Sequence, residues 1–209
     1  MALNALMLPL LIILGILAGN AMAQEGYRAT ELRVQGSGKP FLTRLAPANT
    51  GVQHSNYVSE AKQLENSLLA DGGGVAAGDF DGDGWCDLYI SGAEHANGLF
   101  KNLGDWRFTN VTFNTGLQSA SQFTTGVAFE DIDGHRDLDL LVNSLGTGTQ
   151  LFINDGKGRF QESTNSGLIR RFGSTSLALA DIDANGTLDV YVANYSTTKI
   201  EDRPNARID

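Results

Sequence analysis

One acidic phrase occurs three times in this chain, and its spacing constrains the fold more than any other feature. It reads DFDGDGWCD over residues 79–87 (loop one), DIDGHRDLD over 131–139 (loop two) and DIDANGTLD over 181–189 (loop three). The phrases begin 52 and 50 residues apart. A period of this length indicates similar units that stack or surround an axis, rather than one continuously wound core.

Each loop is flanked by apolar runs of strand length, and two further runs follow at matching spacing. Gly, Asn and Asp separate the runs, as in antiparallel hairpins. Four antiparallel strands per unit predict an all-β fold built from β-propeller blades, with the strands beside each Asp loop packed on both faces. The runs lie at 75–78, 88–90, 99–102 and 107–112 in the first unit and at 127–130, 140–142, 151–154 and 159–164 in the second.

The predicted units span 75–126, 127–176 and, in part, 177–209. Residues 24–74 are predicted to be an N-terminal connection that includes the outer strand of a blade, from Phe41 to Ala46, and a helical turn around Ser59 to Leu64. About three blades cannot close a ring of the usual four to eight. We therefore expect an incomplete ring from a fragment of a longer protein, with exposed blade edges available for self-association.

The first 23 residues predict a secretory signal peptide. They contain no Asp, Glu, Lys or Arg, carry the apolar run Leu10–Leu14, and end in Ala-Met-Ala before Gln24. An uncleaved membrane anchor is the alternative, but the run is short and contains Pro9 and Gly15. We expect a secreted, periplasmic or cell-surface protein with no membrane span after cleavage.

The charge and cysteine content narrow the possible partners. A net charge of −9 argues against a basic surface that binds nucleic acid or anionic membranes. Cys86 is the only cysteine, so no disulfide can form within the chain. Stability must come from the core, from a bound cation, or from both.

The loops present oxygen ligands at alternate positions, which is typical of a calcium site. Several carboxylates so close together repel one another unless a cation joins them. A plain Asp/Gly turn without metal is the alternative for any single loop. The candidate ligands are Asp79, Asp81, Asp83, the Trp85 carbonyl and Asp87 in loop one; Asp131, Asp133, Asp137 and Asp139 in loop two; and Asp181, Asp183, Asn185, Thr187 and Asp189 in loop three.

The loops differ from one another and from an EF-hand. Loop two has His135 where loop one has an Asp, and Arg136 where loop one has the turn glycine Gly84, so whether loop two binds a cation stays open. An EF-hand requires a Glu at its twelfth position and flanking helices. The twelfth positions here are Ile90, Val142 and Val192, within β-patterned runs.

These residues resemble the FG-GAP/VCBS repeats. The resemblance covers about Phe41 to Tyr195 and rests on the Asp phrase, the strands around it and the Leu-Phe-x-Asn…Phe run at 99–108 and 151–160. The phrases at 72–80 and 102–112 look most like bacterial relatives of cartilage acidic protein, which often carry an ASPIC/UnbV domain. The resemblance implies an integrin-α-type propeller with calcium in its hairpin loops.

The favoured interpretation is a calcium-binding propeller module for binding, adhesion or scaffolding, with a protein or glycan partner and no enzymatic activity. The alternative is a propeller-based lyase or hydrolase. That would need Tyr, His and Arg clustered in a central pocket, and the sequence contains no recognisable catalytic motif. A third possibility is an inert remnant of a longer gene.

Overall fold

The computed structural model of the protein describes residues 42–65, 67–119, 123–168 and 173–194. The predicted signal peptide, the connection up to Phe41 and the part of the third unit after Asn194 lie outside these residues. Among the helices described, none has the length and apolar character needed to cross a membrane. Most of the regular structure consists of antiparallel β-strands, as the repeat pattern predicts.

The strands form three separate sheets, each hydrogen bonded in chain order, and in the described residues they do not close a ring. This confirms an all-β fold of partial propeller blades. Blade one contains β1 (Val75–Gly78), β2 (Asp87–Ile90), β3 (Gly98–Asn102) and β4 (Phe108–Asn110); blade two contains β5 (Thr124–Glu130), β6 (Asp139–Ser144), β7 (Gly148–Asn154) and β8 (Phe160–Glu162); the third sheet contains β9 (Ser174–Ala180) and β10 (Asp189–Asn194).

The register is the same in both complete blades, and it places the Asp loops at equivalent positions. Leu88 pairs with Phe100 in blade one, and Leu140 pairs with Phe152 in blade two. Each loop joins the first strand of its sheet to the second, and the last Asp of the loop is the first residue of the second strand. The repeat in sequence is therefore a repeat in backbone geometry.

The main core lies between blades one and two. Phe80 and Tyr89 of blade one face Phe129 and Phe160 of blade two, with ring centroids 6.0 Å apart for Phe80 and Phe160 and 6.4 Å apart for Tyr89 and Phe129. Phe80, Tyr89 and Phe160 are buried. Aromatic side chains of this size bury large apolar areas, so this contact stabilises one blade against the next.

The strands beside the Asp loops are not all packed on both faces as expected. All six residues of β6 are buried, because blade two lies between blade one and the third sheet. In β1, by contrast, Val75 and Ala77 are exposed, and β2 alternates between buried and half-buried residues. The expectation of packing on both faces is wrong for blade one. Within the described residues, another sheet, that of blade two, packs against only one face of blade one.

The first strands of the second and third units begin three residues before the expected boundaries at 127 and 177. Backbone pairing continues to Thr124, opposite Ser144, and to Ser174, opposite Asn194, and hydroxyl hydrogen bonds accompany it where the sequence shows no apolar pattern. The Thr125 hydroxyl lies 3.1 Å from the Asn143 carbonyl and 2.8 Å from that of Ser174. The Ser174 hydroxyl donates to Oδ1 of Asn194 at 2.7 Å.

The N-terminal connection lacks the expected outer strand in its described part. Residues 42–46 form no regular structure and lead into helix α1 (Pro47–Thr50), where proline stands in the first turn and suits a helix start. Helix α2 (Glu60–Glu65) confirms the helical turn predicted around Ser59 to Leu64. A 3-10 turn (Ser67–Ala70) then precedes β1.

Two glycines make the same contact at successive junctions of the chain. A Cβ on Gly51 would lie 2.3 Å from the carbonyl oxygen of Phe108 in blade one, and a Cβ on Gly116 would lie 2.3 Å from that of Phe160 in blade two. Both glycines have positive φ, 79° and 87°. A larger residue would fit neither the space nor the backbone conformation.

Asn154 joins blade two to loop one. Its Nδ2 donates to the Phe80 carbonyl at 2.7 Å and to the Leu138 carbonyl at 3.1 Å, and its Oδ1 accepts the Gly158 amide at 3.1 Å. Asn102 is its equivalent in blade one, but its Nδ2 donates to the Cys86 carbonyl in the same blade. Asn154 therefore connects two units, whereas the described contacts of Asn102 stay within one.

We expect Asn154→Ala to lower the free energy of unfolding by about 1–3 kcal/mol more than Asn102→Ala. Both variants lose the hydrogen bonds within a blade, but only Asn154→Ala also leaves the buried Phe80 carbonyl without its donor. Urea unfolding followed by circular dichroism measures both values. Equal losses in the two variants would show that the contact between blades contributes nothing.

Candidate metal centre

The first Asp of each loop organises the backbone around its carboxylate. In loop one, Oδ1 of Asp79 accepts the Asp83 amide at 3.0 Å and Oδ2 accepts the Gly84 amide at 2.8 Å. Two donated amides partly neutralise the carboxylate and curl the chain around it. The corresponding pairs are Gly134 and Arg136 around Asp131, and Asn185 and Gly186 around Asp181.

The curl requires positive φ at two positions of each loop, and the three loops meet this requirement with different residues. In loop one both positions are glycines, Gly82 at 74° and Gly84 at 89°. Arg136 in loop two adopts 69° and Ala184 in loop three adopts 57°. Non-glycine residues are strained there, at a cost of about 1–3 kcal/mol each. Loops two and three thus keep the backbone shape despite their departures in sequence.

The last Asp closes each loop from inside the blade. Asp87 is fully buried, and its two oxygens accept the Phe80 amide at 3.2 Å and the Asn102 amide at 2.7 Å. Asp139 is also buried and makes the same pair of bonds in blade two, to Ile132 and Asn154. Burial raises the pKa of Asp87 to about 6 and raises the pKa of Asp139 as well.

In each loop the structure brings three of the predicted ligands together. One carboxylate oxygen from each member of a triad lies within 4.8 Å of those of the other two. A cation at the centre of such a triad would contact carboxylates from the start, the middle and the end of the loop. The triads are Asp79, Asp81 and Asp87; Asp131, Asp133 and Asp139; and Asp181, Asp183 and Asp189.

Two unpaired carboxylate oxygens and one raised carboxyl pKa are consistent with cation binding in loops one and two. Oδ1 of Asp81 and Oδ1 of Asp137 are buried without a hydrogen-bond partner. Burial and the nearby Asp133 and Asp131 carboxylates raise the pKa of Asp137. A desolvated carboxylate oxygen without a hydrogen-bond donor is unfavourable for folding, and coordination of such an oxygen to a calcium ion would remove this cost.

The remaining predicted ligands lie outside the triads. Oδ1 of Asp83 accepts the Trp85 amide at 2.9 Å, and Oδ1 of Asn185 accepts the Thr187 amide at 2.8 Å. These bonds tighten the turn between the middle and the end of each loop. Asp137 is likewise outside the triad of loop two.

Loop two contains an imidazole that contacts one of its own carboxylates. Nδ1 of the exposed His135 lies 2.8 Å from Oδ2 of Asp133, and this contact raises the pKa of the imidazole. The replacement of an Asp by His135 in loop two therefore adds a side chain that binds a proposed cation ligand. A cation in loop two must share Asp133 with the imidazole.

Lys101 contacts two carboxylates of loop one, although the sequence patterns did not identify it as a site residue. It lies on β3, and its ammonium contacts Oδ2 of Asp81 and, at 2.8 Å, Oδ2 of Asp83. The ammonium lowers the pKa of Asp83, and the two carboxylates raise the pKa of Lys101. The sequence did contain an indication of its role, because Lys101 is charged whereas the equivalent residue in blade two is the apolar Ile153.

The described histidines do not form a catalytic group. Nε2 of His54 lies 2.8 Å from the Ser91 carbonyl, His95 stacks on Tyr57 with centroids 6.0 Å apart, and His135 pairs with Asp133. Each of these imidazoles contacts a different partner, and these contacts do not bring two histidines together. Absence of enzymatic activity stays a prediction.

Antiparallel blades with an Asp loop at each first turn define a propeller repeat protein, and comparison with known proteins specifies the family. The FG-GAP-like repeat matches residues 79–142 and 131–192, more than half of the chain. The chain therefore belongs to the FG-GAP-like repeat family, which confirms the resemblance seen in the sequence.

Two curated relatives match much of the chain. It is 25% identical over 139 residues to cartilage acidic protein 1 of Xenopus tropicalis, covering 65% of this chain and 22% of that protein. It is 33% identical over 176 residues to integrin alpha-V of Gallus gallus, covering 71% of this chain and 16% of that protein. The chain thus spans about a fifth of the length of these relatives.

The raised pKa of Asp87 predicts competition between protons and a cation in loop one. With a folded pKa of about 6, above its value in the unfolded chain, Asp87 favours folding at low pH, and this contribution is lost as the pH rises through 6. A cation requires the ionised form. The rise in unfolding temperature caused by calcium should therefore shrink as the pH is lowered from about 7.5 to about 5.5.

Differential scanning fluorimetry in calcium and in chelator, repeated across this pH range, measures the effect. Asp87→Asn provides the comparison, because its side chain does not ionise. A calcium-induced shift in the native protein that does not change with pH would contradict the assignment of Asp87.

Proposed function

We propose that the protein is an exported, calcium-binding propeller repeat protein whose blades act as a binding, adhesion or scaffold module. The observation that carries this proposal is the threefold recurrence of a carboxylate triad on one backbone geometry. Exposed acidic clusters are common without a metal, but these triads recur in register, and those of loops one and two each include a buried carboxylate. Family membership supports the same function.

Calcium is the cation that this donor set favours. All donors are oxygens, and calcium accepts six to eight of them in flexible geometry. In loop one the triad would be completed by Asp83, the Trp85 carbonyl and water. When bound, calcium would neutralise the loop and hold the first hairpin of the blade together.

The partner is proposed to be a protein or a glycan that binds at the ends of the blades. Trp85 and Trp106 are 53% and 70% exposed, and both belong to the turns of blade one near loop one. The Trp85 ring lies over Gly104, 3.5 Å from the position of a Cβ there. Exposed indoles are well suited to stacking on sugars and to packing at protein interfaces.

Thermal unfolding tests the calcium proposal. We expect millimolar calcium to raise the unfolding temperature, because the cation binds the folded loops and has no comparable site in the unfolded chain. Asp79→Asn combined with Asp81→Asn should reduce the shift, since it removes the negative charge of two ligands of loop one. Asp71→Asn is the control, because it removes a charge from an exposed Asp outside the loops. A folded native protein without any shift would rule out calcium binding.

A glycan array tests the proposed partner surface. We expect Trp85→Ala and Trp106→Ala each to weaken binding by about tenfold or more, because each removes a stacking surface. Phe113→Ala is the control, since Phe113 is an even more exposed aromatic residue on the 3-10 turn after β4. Binding that is unchanged in both Trp variants would exclude this surface as the glycan site.

A further inference from the structure

A positive charge already contacts two of the proposed cation ligands of loop one. The Lys101 ammonium contacts Asp81, a triad member, and lies 2.8 Å from Asp83, which is a further proposed ligand. The side chains of Asp81 and Lys101 are only 15% and 28% exposed. The contact is therefore partly shielded from water, which strengthens it relative to a surface ion pair.

The other two loops contain no such ammonium in the described residues. Ile153 occupies the position of Lys101 in blade two, so β7 brings no charge to loop two. Loop two instead has the exposed His135, which contacts Asp133 alone. No ion pair to the triad of loop three occurs among the residues described.

We infer that Lys101 is a tethered competitor of the cation in loop one, which lowers the calcium affinity of this loop and holds it closed when calcium is absent. The inference rests on the proposed calcium function. To bind Asp81 and Asp83 together, the cation must displace the ammonium or bind beside it. Both alternatives oppose binding, the first by breaking the ion pair and the second by repulsion between like charges.

The same contact gives loop one a substitute for the cation. Without Lys101, the carboxylates of loop one would repel one another with only backbone amides to offset their charge. With Lys101, the carboxylates of loop one have the ammonium as a counter-ion even when calcium is absent. Loop one should therefore keep its shape at calcium levels too low to fill it.

Terbium luminescence reads loop one directly. Trp85 and Trp106 are the only tryptophans of the chain, and Trp85 lies within loop one. Light absorbed by an indole sensitises a bound terbium ion nearby, so a signal excited through tryptophan reports a cation in loop one, which contains Trp85. Competition with calcium then gives the calcium affinity of loop one.

The test variant is Lys101→Ile, which gives blade one the residue of blade two. We expect terbium and calcium to bind loop one at least about tenfold more tightly than in the native protein, because an opposing charge is lost. In chelator, the same variant should unfold at a lower temperature than the native protein. Lys101→Met serves as a second variant if isoleucine impairs folding.

Two controls separate this effect from a general change in charge. Lys101→Arg keeps the cation and should leave the affinity close to native. Lys62→Ile makes the same change in net charge on α2, where Lys62 pairs with Glu65, and should also leave it close to native.

The outcomes distinguish the two proposals. Tighter binding in Lys101→Ile and Lys101→Met, but not in the controls, supports the competitor. Equal or weaker binding in those variants, with clear binding by the native protein, overturns the role of Lys101 and leaves calcium binding intact. No terbium binding and no calcium response in any folded variant overturns both.

Discussion

Hydrogen bonds from backbone amides to buried or half-buried carboxylates are the interaction on which this structure depends. Asp79 curls loop one around its own carboxylate. Asp87 accepts hydrogen bonds from the amide of Phe80, the second residue of the loop, and from the amide of Asn102, the last residue of β3. A single side chain on the second strand thus ties the loop to the third strand of the blade. Because both oxygens of Asp87 are used in this way, the loop and the sheet around it are built as one unit.

The three loops share this geometry but differ in the support that surrounds them. Phe80, the second residue of loop one, is 3% exposed, whereas its counterpart Ile182 in loop three is 73% exposed. The difference arises because the outer hairpin of blade two covers loop one, with Gly158 packed against Phe80 and Asn154 bonded to its carbonyl. Loop one is therefore stabilised partly by the blade that follows it.

The sequence allowed the blades to be predicted because their determinants are local and repeated. Apolar runs, turn residues and the Asp phrase recur at equal spacing, so the outer strands at Phe100, Phe108, Phe152 and Phe160 followed directly. Burial was less predictable, since whether β1 is covered depends on a neighbouring sheet and not on its own residues. The early strand starts at Thr124 and Ser174 depend on backbone pairing across the fold, accompanied by hydroxyl hydrogen bonds, which no periodicity reveals.

The candidate site also has one part that the sequence predicts and one part that only the fold reveals. The triads follow from alternation within each loop, so their residues could be named from spacing alone. Lys101 reaches loop one from a strand twenty residues further on, and only the folded register brings it there. Its charge at an otherwise apolar position of the repeat was visible, but the sequence did not indicate which group it would meet.

The recurring glycine contact has a consequence for how such proteins grow. Gly51 joins the connection to blade one in the same way that Gly116 joins blade one to blade two. A gene duplication that inserts one whole unit would therefore recreate a matching junction on each side of the insert. The glycine contact of an added blade would then need no new backbone geometry at either junction.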